Sequence, residues 1–148
     1  MNKVETYRML TEQIKALTAG ETDEVAVMAN VAAAIHLEMG FWWTGFYRVK
    51  NGELVLGPFQ GPVACMHIGY GKGVCGTAWK QGETIVVPDV ELFPGHIACS
   101  SESRSEIVVP VRAANGEITA VLDIDSKDLA TFDDTDKQWL EEIVKVFA

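Results

Sequence analysis

Apolar positions recur at helical spacing through the first forty residues and then switch to alternation. Met9, Leu10, Ile14 and Leu17 fall on one side of a helix, and Gly20 suits its end. Thr22 is placed to cap a second helix, with Asp23 and Glu24 favourable in its first turn and Val25, Met28, Ala32 and Ile35 as its seam. After Gly40 the run FWWTGFYRV is aromatic and β-branched, KNGE supplies an Asn-Gly turn, and ELVLG returns as the partner strand. VACMHI reads as a third strand, and GYGKGVCGTAWKQG as a glycine-rich loop entering a short helix. TIVV is a short strand stopped at Pro88. EIVVPVRA, ANGE and ITAVLDID form a second hairpin, and Asp133 caps a last helix bearing Leu140, Ile143, Val144 and Phe147.

Hairpins outnumber crossovers in this order. The expected fold is therefore α+β, a largely antiparallel sheet of about six strands with helices on one face. The long middle segments remain to close a pocket on the other face. No repeat, low-complexity tract or linker interrupts the pattern, so residues 1–148 are expected to form one domain.

Composition narrows the classes. Hydrophobic residues make up 48% of the 148, which argues against disorder, and no apolar run approaches the roughly 20 residues of a membrane span. The formal charge is −9 with no basic stripe, so nucleic acid and anionic membranes are poor partners. The amphipathic, acid-bearing N-terminus reads as neither a secretory nor a transit signal. An odd set of three cysteines makes a secreted disulfide framework improbable. The cytoplasm is the expected location.

The thiols are Cys65, Cys75 and Cys99, spaced by ten and twenty-four residues, without the close pairs usual in zinc sites. His67 and His96 lie near two of them, so a metal is weighed beside the plainer alternative of small buried hydrophobes. Cys65 sits in an apolar stretch that suits burial. Cys75 follows Gly73, where a helix should begin and unpaired N–H groups favour thiolate. Cys99 lies in PGHIACSSESRS, a sequence with the composition of a flexible loop from which a thiol could reach another thiol.

Asp123 and Asp125 interrupt an apolar strand two residues apart, which puts both on one face. Glu106 opens the partner strand. Clustered carboxylates raise the pKa of at least one of them and can serve a proton donor or hold an ammonium. On the first hairpin Trp43, Gly45 and Tyr47 share a face. That pattern suggests a gap between aromatic walls, suited to a small cation or polarised thioether, unless it is ordinary core packing.

Together FWWTGFY, GPFQGPVACMHI, GKGVCGTAW, PGHIACSSESRSEIVVPV, AVLDIDS and FDDTDKQWLEEIV resemble the free methionine-(R)-sulfoxide reductases, which are built on a GAF domain. The resemblance covers nearly the whole chain. It implies reduction of free methionine-(R)-sulfoxide in a closed pocket, with no metal or organic cofactor, recycling by a thioredoxin-like dithiol, and a homodimer. By resemblance Cys99 is the nucleophile, Cys65 the resolving thiol and Cys75 a third thiol of less defined role. Trp43 and Tyr47 would flank the substrate methyl group. Glu106, Asp123 and Asp125 would hold its polar end and sulfoxide oxygen. Local electrostatics favours Cys75 as the most acidic thiol and the resemblance favours Cys99. Other GAF domains are small-ligand sensors, and a stand-alone redox sensor using the same thiols is the competing class.

Overall fold

The computed structural model describes residues 1–97, 99 and 101–148. Its elements run α1 (Lys3–Thr18), α2 (Glu24–Met39), β1 (Trp43–Lys50), β2 (Glu53–Gln60), β3 (His67–Gly69), α3 (Gly73–Gln81), β4 (Ile85–Val87), β5 (Ser105–Arg112), β6 (Ile118–Ser126) and α4 (Asp134–Ile143). Short 3-10 turns follow β4 at Val90–Leu92 and α4 at Val144–Phe147. The strands form one sheet in the order β3-β2-β1-β6-β5-β4, and each neighbouring pair is antiparallel.

The helices start where side chains can satisfy free backbone N–H groups. Asn2 accepts from Glu5 N at the head of α1. Asp23, not Thr22, caps α2 by accepting from Ala26 N at 3.1 Å. The first-turn acid expected at position 23 is thus the cap itself. The buried seam of α2 is Val27, Met28, Val31, Ala32 and Ile35, while Val25 faces out. On α1 the buried set is Tyr7, Leu10, Thr11 and Ile14, and Leu17 is exposed. Asp133 forms a reciprocal capping box with Asp136 at the start of α4. Asp136 is fully buried, accepts from the Tyr7 hydroxyl at 2.5 Å and pairs with Lys3, which ties α1 to α4.

Asn51 and Gly52 both take positive φ, 52° and 80°, the conformation that a two-residue hairpin demands. The expected third strand is shorter than VACMHI suggests. After the break at Gly61 and Pro62, pairing with β2 begins only at His67, so Cys65 lies in irregular chain and not in a strand.

Alternation along the strands divides the core. Phe46, Ile107, Val109, Val111, Ala120, Leu122 and Ile124 face α1, α2 and α4. Tyr47, Val108 and Val121 face the other way, onto α3 and the middle segments. That second side holds the polar chemistry. Among the described residues no helix is long and apolar enough to cross a membrane.

Candidate active site

Strand register gathers the acids. Antiparallel pairing sets Trp43 opposite Asp125 and Gly45 opposite Asp123 across β1 and β6. Across β5 and β6, Glu106 lies opposite Asp125 and Val108 opposite Asp123. All three carboxylates therefore emerge on the face away from α1, α2 and α4. A cavity there is lined by Glu106, Asp123 and Asp125, by Trp43 and Tyr47 from β1, and by Cys75 at the start of α3. Cys99 and Ser103, from the segment before β5, complete it. The structure thus brings all of the expected carboxylates and aromatics to one place, with two of the three thiols on its lining.

Burial dominates the electrostatics of this cluster. Glu106 and Asp123 are 6% and 5% exposed. Burial, reinforced by the charge of Asp125, pushes Glu106 up to about 8. Asp123 is held well above the usual carboxylate range by burial and then by Glu106, and Asp125 by burial and then by Asp123. Near neutral pH the cluster carries protons that isolated acids would have lost, and it titrates as a coupled unit. Ser103 Oγ donates to Asp125 Oδ1 at 3.1 Å and works against the rise there.

Cys65 and Cys99 are joined in a disulfide with their Cα atoms 5.4 Å apart. Cys99 is exposed and Cys65 partly buried, so the pair sits at the rim of the cavity. Cys75 differs from its sequence-based expectation. Its thiol is buried and its pKa is pushed well above the ordinary value, first by burial and then by Asp123 and Glu106. The start of α3 does favour thiolate, but three buried acids beside the sulfur outweigh it. Cys75 Sγ lies 4.0 Å from Glu106 Oε2.

The aromatic pair is present, without the gap expected between its members. A Cβ on Gly45 would meet the Trp43 ring at 2.7 Å and Phe59 closer still. The missing side chain is needed so that Trp43 can lie back over the strand, its ring centroid 6.1 Å from that of Tyr47 and stacked on Phe59. Trp43 Nε1 donates to Pro62 O, and the Tyr47 hydroxyl donates to Cys65 O, both at 2.9 Å. The aromatic walls therefore also hold the segment that carries Cys65.

The metal alternative finds different partners from those the sequence suggests. Among the described residues, Cys75, Glu106 and Asp123 bring potential ligand atoms within 4.8 Å of one another. His67 is not among them, because its Nδ1 sits 3.0 Å from Glu53 Oε1. His96 does line the cavity, and burial lowers its pKa.

Among the lining residues that escape the sequence reading, Ser103, Trp42 and Lys72 carry polar or aromatic groups. Ser103 precedes β5, where alternation cannot be extended. Trp42 precedes β1 for the same reason. Lys72 had one available signal, its place between two glycines in GKG at a helix start.

A family model described as GAF domain matches residues 21–148. The GAF domain-containing protein A of Dictyostelium discoideum is 53% identical over 98% of this chain and 92% of its own length. The free methionine-R-sulfoxide reductase of Escherichia coli is 46% identical over 97% of this chain and 87% of its own. The crystal structure of the free methionine-R-sulfoxide reductase from Neisseria meningitidis, in complex with its substrate, superposes with a TM-score of 0.96 at 51% identity. That match covers 99% of this chain and 89% of the other. The chain belongs to the GAF-domain family and, within it, to the free methionine-(R)-sulfoxide reductases.

Proposed function

We propose that this protein reduces free L-methionine-(R)-sulfoxide to L-methionine, with Cys99 as nucleophile and Cys65 as resolving thiol. One observation carries the assignment: a disulfide between these two cysteines at the rim of a cavity lined by three carboxylates of raised pKa. A sulfoxide sulfur is a poor electrophile until its oxygen receives a proton. Glu106, with a pKa pushed up to about 8, is mostly protonated at neutral pH and donates that proton. Asp123 and Asp125 hold the remaining polar groups of the substrate, and Trp43 and Tyr47 pack its methyl group.

The Cys99 thiolate attacks sulfur, the S–O bond breaks, and methionine leaves as Cys99 takes the oxygen as sulfenic acid. Cys65 displaces that oxygen as water and forms the disulfide. An external dithiol of the thioredoxin type then reduces the disulfide and is itself oxidised. Cys75, neutral and buried beside Glu106, does not attack. Residues 1–148 act as one domain in this account.

The test is to mix reduced protein with each epimer of free L-methionine sulfoxide and dithiothreitol, and to follow methionine. Product from the R epimer alone is expected. No product from either epimer, with the protein folded, would sink the assignment and favour a redox sensor.

A further inference from the structure

The disulfide stands in a rim of exposed apolar side chains. Val63 and Met66 flank Cys65, Ile97 comes just before Cys99, and all three are exposed, Val63 to 88% and Met66 to 68%. Val63 and Ile97 border the cavity together with Cys99, so these positions gather at one reactive bond. Single exposed hydrophobes need no explanation, whereas a group of them marks a surface that is covered by something.

Charge is missing from the same two segments. Pro58 to Met66 and Leu92 to Ser101 contain no Asp, Glu, Lys or Arg, on a chain in which such residues make up 22% and the net charge is −9. His96, within the second segment, is biased toward its neutral form by burial. Both sides of the rim are also held in place. Trp43 Nε1 and the Tyr47 hydroxyl donate to Pro62 O and Cys65 O. Ile97 packs over Gly73, where a Cβ would come 3.1 Å from it. A surface fixed in advance loses little entropy when it is covered. A small thiol can reach the bond without touching these side chains, but a protein must cover them. Cys99 is exposed and Cys65 half-buried, so the Cys99 side is the open one.

We propose that the uncharged apolar rim formed by Val63, Met66 and Ile97 is the docking surface for a protein dithiol, which attacks the disulfide at Cys99. The thiol of such a partner is itself ringed by uncharged apolar surface. Its first thiolate attacks Cys99 Sγ, the S–S bond breaks, and Cys65 leaves as a thiolate and takes a proton. The second thiolate of the partner then displaces Cys99 and closes the partner's own disulfide, so two electrons pass to this protein. The inference rests on the reductase function proposed above and names the surface and the sulfur at which its reductant acts.

Disulfide reduction tests it without sulfoxide. The disulfide-bonded protein is mixed with reduced thioredoxin or with dithiothreitol, and free thiols are followed by alkylation and mass spectrometry. A protein carrying both Val63→Ser and Met66→Ser should be reduced by thioredoxin about 10–100-fold more slowly than wild type, the range expected for losing two apolar contacts of an interface. Its reduction by dithiothreitol should stay within about threefold of wild type, and Met66→Leu should stay within about threefold with both reductants. Thioredoxin whose second active-site cysteine is replaced by serine should be trapped on Cys99. Equal slowing with both reductants, no slowing with thioredoxin, or trapping on Cys65 overturns the inference. So does a wild-type disulfide that thioredoxin does not reduce. Rates and trapping as expected, with no turnover of the R sulfoxide, overturn the reductase assignment alone.

Discussion

Replacing Glu106 with glutamine should stabilise the folded protein at alkaline pH while disabling the proposed chemistry. In the fold its pKa stands at about 8 against an ordinary 4.5. A folded-state pKa above the unfolded value means that the native state holds the proton more tightly. Stability on this account is full below about pH 4.5 and declines as pH climbs through about 8. If Glu106 titrated alone the decline would total about 5 kcal/mol, at about 1.4 kcal/mol per pH unit. Sharing with Asp123 and Asp125 reduces its part to roughly 2–5 kcal/mol. For a chain of this length that corresponds to about 5–15 °C in melting temperature.

Glutamine keeps the shape and can donate a hydrogen bond, but it cannot ionise. It also removes the Glu106 charge that ranks second among the causes raising Asp123. Thermal unfolding of disulfide-bonded wild type and Glu106→Gln, without reductant, should give nearly equal melting temperatures at about pH 4.5, the ordinary pKa of the group. At pH 9 the variant should melt higher by the amount above. A difference between the two proteins that is the same at both pH values would refute the argument, because it would mean that Glu106 does not titrate between them.

Cys99→Ser should lower single-turnover methionine formation at least about 1,000-fold, whereas Cys65→Ser should release one equivalent of methionine and accumulate sulfenic acid, detected by dimedone labelling. Appreciable turnover by Cys99→Ser would reassign the nucleophile. Ser103→Ala removes the donor that lowers the Asp125 pKa, so the alkaline limb of the activity profile should move to higher pH, read from kcat/KM against pH. Gly45→Ala should cost about 1–3 kcal/mol in urea unfolding, since its Cβ would be driven into Trp43 and Phe59. An unchanged urea midpoint would show that the indole moves aside freely.

The hairpins were legible because Asn51-Gly52 and the alternation of β5 and β6 are local signals, and so the facing of Asp123 with Asp125 followed from period alone. Which strands stand side by side is not local. That β6 inserts between β1 and β5, and so sets Asp125 against both Trp43 and Glu106, comes from register and not from any one segment. The Cys75 expectation failed for a related reason. Helix position can be read from sequence, but the burial and carboxylates that outweigh it arrive from β5 and β6. Gly45 showed its absence of side chain without showing that Trp43 fills the space. On α2 the cap fell one residue from its expected place, and Val25, in the first turn, is exposed while Val27 and Val31 join the buried seam.

The strand order also governs when the chemistry comes into being. A ribosome delivers β1 and all three cysteines well before β6, the last strand, which must wedge into the middle of the sheet. Until it does, Glu106 has no Asp125 opposite it, the acids remain hydrated and ordinary, and no proton donor stands beside the thiols. Under the proposed function a chain whose β6 has not yet docked is thus an unarmed one, and its cysteines gain their acid partners only once that strand is in place.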